Sequence, residues 1–311
     1  MNNFKKHIIK LKGFPTDNGK IPFSLLKVLG EQLTRLSEST LLSYIEGSSK
    51  IKPGKTPEWL SNSIEFNLTG IRKGSSILDI EAPSLSKSIE NVQLPIFHGF
   101  ESFKLKESSV LDLSFFAYKE ALINKEESFL LDKNLLKEIS KFNKILPSDE
   151  AEIIFESNDR KFEITKNTLS KIKVLEEKTP TSRKTKVTGK LDVLEHSKSQ
   201  LELVTNGKKI RAKLSDKINF DAILELFGEE VSISGIVNFN PAGKITSFEI
   251  EALKKAESED DYFKKLPKPI FKEFDFQRIV EEKEYRGSNL DKIIGKWPGD
   301  ESTDELLELL K

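Results

Sequence analysis

The sequence predicts an α+β fold in three parts. These are a mixed helix-and-sheet domain over residues 1–179, a small five-stranded β-barrel over 180–256, and an extended acidic segment over 257–311 ending in a short helix. Three observations lead there. A long stretch with leucines at helical spacing is bracketed by alternating, strand-like runs. Past residue 184, short alternating segments follow in the order β-β-β-α-β-β. Beyond Leu253 the composition shifts to dense charge with isolated aromatics and no sustained period.

A chain of 311 residues exceeds the usual single-domain size, so two compact units plus connecting sequence is the expectation. Fifty Lys and Arg balance fifty Asp and Glu, which removes any global charge argument for nucleic acid or a membrane surface; an electrostatic case has to be local. The absence of cysteine excludes disulfides and thiolate metal sites and fits a reducing compartment. No apolar run has signal length or approaches the roughly 20 residues that span a bilayer. A cytoplasmic protein without membrane contact is expected.

Residues His7 to Gly13 read as a strand, and a Pro/Asn/Gly turn leads into a helix from Phe23 to about Glu46. There Leu25, Leu26, Leu29, Leu33, Leu36, Leu41, Leu42 and Ile45 form one apolar stripe. Ile64, Phe66 and Leu68 alternate as a strand that turns at "RKG" into a second, with Leu78 and Ile80 on one face. "LDLSFFAYKEALI" and "FLLDKNLLKEISKFNKIL" read as two helices, the latter ending at Pro147. "AEIIFESNDRKFEIT" reads as a hairpin with Ile154 and Phe162 or Ile164 inward, and a last helix runs from Thr168 to about Glu176. "EKTPTSRKTK" marks a linker, with a boundary near Pro180.

The barrel segment contains an Asn206-Gly207 hairpin, from which register is counted outward. Leu203 then faces Ile210 and Leu201 faces Ala212, an apolar side. On the other side Val204 opposes Lys209, Glu202 opposes Arg211 and Gln200 opposes Lys213, with no aromatic among them. Lys184 to Lys217 holds nine basic and four acidic residues, whereas Ile218 to Lys254 holds two basic and six acidic. Phe227, Phe239 and Phe248 are expected in the core. Over Lys186 to Leu253 this order of elements resembles the OB-fold family, whose barrels bind single-stranded nucleic acid through basic grooves and stacking aromatics. Lys208, Lys209, Arg211 and Lys213 are the residues that would serve that role here.

Signals for a reaction centre fail their spacing tests. "GFPTDNGK" has five residues before Gly-Lys where a phosphate loop has four, and Ile21 stands where Ser or Thr would hold magnesium. His7, His98 and His196 stand far apart, without metal-ligand spacing, and are expected at the surface or in turns. No Gly-x-Ser-x-Gly elbow occurs. Asp79 and Glu81 project to one side of a strand, as a Mg²⁺-binding pair would, and equally as an ordinary solvated face would. No catalytic residue, metal site or cofactor is expected.

The terminal stretch "GKWPGDESTDELLELLK" carries the most specific signal. Pro298 and Gly299 suit the centre of a type II turn that fixes Trp297, and Ser302 with Glu305 forms a capping box. Leu306, Leu309 and Leu310 lie along one side of a helix too short to persist alone in water, so it orders against a surface of this chain or of a partner. Leu290 to Lys311 resembles the C-terminal segments of bacterial antitoxins that neutralise PIN-domain ribonuclease toxins. The resemblance implies a non-enzymatic inhibitor of a small nuclease toxin, with Trp297, Pro298, Gly299 and Asp300 as the anchoring turn and Leu306, Leu309 and Leu310 as the docking stripe. The DNA-binding module usual in such antitoxins is not recognisable in this chain.

Overall fold

The computed structural model describes residues 4–16, 20–72, 76–90, 92, 107–124, 127–157, 160–195, 199–215 and 218–271. The α+β fold with a closed five-stranded barrel is present. The first half comprises β1 (Phe4–Lys12), α1 (Phe23–Glu46), α2 (Glu58–Ser63), β2 (Asn67–Arg72), β3 (Ile77–Pro83), α3 (Leu85–Ser88), α4 (Val110–Ile123), α5 (Lys133–Ser140), β4 (Glu152–Ser157), β5 (Arg160–Ile164) and α6 (Lys166–Lys178). Its sheet runs β2-β3-β1-β4-β5 with every neighbouring pair antiparallel. Alternation along β1 sends His7, Ile9 and Leu11 to one face, where Ile9 and Leu11 join leucines of α1, α4, α5 and α6 in a single core. Helices therefore line one face, and the other carries matched charges such as Lys10–Glu156 at 2.6 Å and Lys12–Glu152 at 3.5 Å.

The α1 stripe lies as its spacing predicts, with Leu29, Leu33, Leu36, Leu41, Leu42 and Ile45 all buried. Elsewhere local geometry shifts several expectations. Pro57 starts α2, which ends at Ile64, so β2 begins only at Asn67 and neither Ile64 nor Phe66 is in a strand. Asp132 caps α5 through the Leu135 amide at 2.8 Å, which excludes Phe129 to Leu131 from the expected helix; beyond Ser140 the helix tightens into a 3-10 turn, Lys141–Lys144. In the β4–β5 hairpin Ile153 pairs with Ile164 and Phe155 with Phe162 on the core face, whereas Ile154 is buried on the opposite face. The Thr165–Thr168 capping box starts α6 at Lys166 instead of Thr168.

One buried polar cluster pins α4 to the sheet. Asp112 accepts from the Ser109 amide at 2.8 Å, the Ser109 hydroxyl at 2.9 Å and the Ser157 hydroxyl of β4 at 2.7 Å. Because the single Ser109 proton goes to Asp112, the 2.9 Å contact with His7 is a donation from Nε2–H to Ser109 Oγ. His7 is 1% exposed, where a surface or turn position was expected, and its Nδ1 has no partner among the described residues. Burial pushes the imidazole below its ordinary value, an effect that the Asp112 carboxylate partly offsets.

The junction at Pro180 is tight. Thr179 and Pro180 are buried, the Thr179 carbonyl accepts from Lys133 Nζ at 2.7 Å, and the next strand starts at Arg183. The barrel comprises β6 (Arg183–Glu195), β7 (Gln200–Thr205), β8 (Lys208–Leu214), α7 (Asp221–Leu224), β9 (Glu230–Phe239) and β10 (Ile245–Lys255), in the predicted order. It closes as β10-β8-β7-β6-β9, with β10 parallel to β8 at Glu249↔Lys213 and Ile250↔Leu214. Phe239 and Phe248 lie in its core as expected, but Phe227 is 56% exposed. Helix α7 ends at Leu224, so the helical register that would turn Phe227 inward is lost and Ile223 fills the core position.

The segment after β10, expected to be extended from residue 257, folds back on the barrel as far as it is described. A 3-10 turn, Ser258–Phe263, places Asp260 against Lys186 at 2.5 Å, with Lys186 Nζ also 4.9 Å from the centre of the Phe263 ring. Lys264 then reaches Glu230 at 2.8 Å, and its carbonyl accepts from Asn206 Nδ2. Pro269 and Phe271 cross the β9–β10 turn so closely that a Cβ on Gly243 would meet Pro269 Cγ at 2.7 Å. Among the described residues no helix is long and apolar enough to cross a membrane.

Candidate ligand-binding groove

The β7–β8 register is the one counted from Asn206-Gly207: Leu203↔Ile210 and Leu201↔Ala212 inward, Val204↔Lys209, Glu202↔Arg211 and Gln200↔Lys213 outward. Glu202, Lys209 and Arg211 of the outward row border a groove of about 530 Å³, with Ile210, Gly243 to Thr246 of the β9–β10 turn, Leu266 and Pro267 around it. A volume of that size suits a small molecule or one unit of a polymer, within the roughly 300–1,000 Å³ of ordinary ligand sites.

The electrostatics differ from a simple basic stripe. Glu202, only 7% exposed, accepts from Lys209 Nζ at 2.6 Å and Arg211 Nε at 3.3 Å. The Lys209 hydrogen bond holds the Glu202 carboxyl below the usual carboxylate range against the opposing effect of burial, and the same bond raises Lys209. Lys213 is tied to Glu46 of α1 at 3.2 Å, and Lys52 to Glu249 at 2.7 Å. Lys208 alone of the four predicted cations has no carboxylate partner among the described residues. The predicted basic and acidic sides of the barrel also neutralise each other, as in Lys184–Glu251 at 2.5 Å and Lys255–Glu229 at 2.9 Å.

The missing aromatic comes from the first half of the molecule. Phe129, 45% exposed, lines the groove beside Lys209 and Arg211, and Glu127 pairs with Lys244 nearby. Its position is fixed from behind. Leu130 and Leu131 are fully buried, the Leu130 carbonyl accepts from Ser43 at 2.6 Å, and Asp132 holds the Ser49 amide at 2.8 Å. The sequence signal was Asp132 as a helix cap, which places Phe129 on a loop where a side chain can turn outward.

The other candidates separate cleanly. Arg72 grips both oxygens of Asp79, Nε to Oδ2 at 2.8 Å and Nη2 to Oδ1 at 2.6 Å, which fits the solvated-face reading of Asp79 and Glu81. No group of three or more His, Cys, Asp or Glu among the described residues could hold a metal ion. His98, His196 and the docking residues Trp297, Pro298, Gly299, Asp300, Leu306, Leu309 and Leu310 lie outside the described residues. Comparison with protein families, with curated proteins and with solved structures finds no match for this chain.

Proposed function

We propose that the protein is a non-enzymatic, antitoxin-like regulator of the cytoplasm that binds and inhibits a small PIN-type ribonuclease through Leu290 to Lys311. The supporting observation is the sequence pattern itself: Trp297-Pro298-Gly299-Asp300 has turn-forming composition, and it precedes a capping-box pairing of Ser302 with Glu305 and Leu306, Leu309 and Leu310 at helical spacing. A Trp next to leucines at helical spacing has the composition of a binding hot spot. Deleting residues 288–311 is expected to weaken capture of a co-expressed PIN-type ribonuclease from the neighbouring reading frame by at least about 100-fold and to restore its RNA cleavage. Full binding and inhibition by the truncated chain would sink this reading.

A second reading is favoured by the groove on the β7–β8 face: single-stranded nucleic acid binding by the barrel. Because Lys213 is held by Glu46, and Lys209 shares Glu202 with Arg211, few cations are left to neutralise phosphates. Binding of a labelled oligonucleotide is expected to weaken with salt at a log–log slope of about −0.7 to −1.4, corresponding to one or two phosphates. A slope near that of four contacts, about −2.8, would contradict the ion pairing described. No binding at low salt would remove the reading itself.

A further inference from the structure

We propose that the groove is a slot for a single nucleobase, with Phe129 as the stacking face and Glu202 as the acceptor that selects bases bearing an exocyclic amino group. The proposal rests on the second reading above and names what that site would recognise. A sheet face with so few uncommitted cations cannot hold a strand by phosphate contacts alone, so affinity has to come from stacking, which contributes about 1–3 kcal/mol per base. The barrel's own outward row has no aromatic to supply it. Phe129 is exposed beside that row, and the backbone that follows it is anchored through Leu130 and Asp132, so the segment that carries the ring is in place before any ligand arrives.

Glu202 gives the slot its selectivity. Its carboxylate borders the groove, is kept ionised by Lys209 and Arg211, and has acceptor capacity beyond those two bonds. An ionised carboxylate accepts from the amino groups of cytosine or adenine and meets only a carbonyl at the corresponding position of thymine or uracil. The strand's phosphates pass on the rim, where Lys208 has no carboxylate partner among the described residues. An apolar peptide would satisfy Ile245, Leu266 and Pro267 equally well, but gains nothing from a buried, ionised carboxylate in the lining, which favours a base as the occupant.

The test uses the full chain with fluorescein-labelled (dC)10 and (dT)10. Wild type is expected to bind (dC)10 about tenfold more tightly. Phe129→Ala should lose at least about tenfold for both, Glu202→Gln should erase the preference, and the emission of a Phe129→Trp variant should be quenched by (dC)10. Binding by wild type that Phe129→Ala leaves unchanged, or Phe129→Trp emission that (dC)10 leaves unchanged, overturns the slot while the second reading stands. Equal affinity for the two oligonucleotides overturns the role of Glu202. Absence of binding by either oligonucleotide removes the second reading and the slot together. Thermal midpoints within a few degrees of wild type show that each variant is folded.

Discussion

Gly235→Ala is expected to prevent the barrel from closing. Gly235 lies in β9, paired with Thr185 of β6 on one side and Ile250 of β10 on the other. A Cβ built there falls 1.9 Å from the Glu249 carbonyl oxygen and 2.8 Å from its carbon, closer than real Cβ contacts come. Backbone cannot step aside as a flexible side chain can, because Glu249 is also the residue through which β10 meets Lys213 of β8 in the closing pair. The cost is expected to exceed about 4 kcal/mol, the range reserved for direct lesions of a packed interior. Limited proteolysis should show cleavage within residues 183–255 of the variant while residues 4–178 resist. Gly30→Ala provides the opposite control, since Gly30 is exposed in α1 and an added methyl meets nothing within 4 Å. It should stabilise by about 0.8 kcal/mol. A fully protected barrel in Gly235→Ala would refute the close approach.

Asp112→Ala should be the most damaging substitution in the first half, at about 3–5 kcal/mol. The carboxylate accepts from the Ser109 amide, the Ser109 hydroxyl and the Ser157 hydroxyl, all buried, and each donor left bare costs roughly 1–3 kcal/mol. The losses are not additive, because the three donors share one acceptor group. Asp112→Asn retains one acceptor oxygen and should lose less, which urea midpoints of the two variants will resolve. The same cluster sets a pH dependence. His7 has a folded pKa lowered below its unfolded value near 6.5, so between the two the unfolded chain binds a proton that the folded one refuses. Stability from this source is complete above about pH 6.5 and declines as pH falls below it. His7→Gln, which can still donate to Ser109, should flatten that decline in a plot of thermal midpoint against pH; an unchanged slope would mean that His7 is protonated in the fold.

Features governed by neighbours in sequence were legible, and those made at a distance were not. The Asn206-Gly207 turn fixed the β7–β8 register residue by residue because a two-residue hairpin leaves one alignment. The stripe of α1 followed from spacing alone. By contrast, no local signal says that β1 lies between β3 and β4, since pairing of Ile9 with both Leu78 and Phe155 is decided by the whole core. The site suffered in the same way. Lys213 looked like a phosphate contact until α1 brought Glu46 to it, and Phe129 looked like part of a helix until Asp132 capped that helix behind it. Where the chain after Lys255 was expected to leave the barrel, Lys186 and Asp260 hold it there, a pairing between residues that composition alone treats as interchangeable charges.

The place of β1 in the middle of its sheet also governs how the chain is made. Lys10 and its partner Glu156 are 146 residues apart, so at a synthesis rate of about 5–20 residues per second, β1 has one open edge for on the order of ten seconds after it emerges. That strand carries His7, Ile8, Ile9 and Leu11, an apolar ribbon of the kind that recruits other nascent chains. Lys5, Lys6, Lys10 and Lys12 are interspersed through it. Before β4 arrives these lysines have no Glu152 or Glu156 to pair with, and they place like charge on every copy of the open strand, which disfavours edge-to-edge pairing.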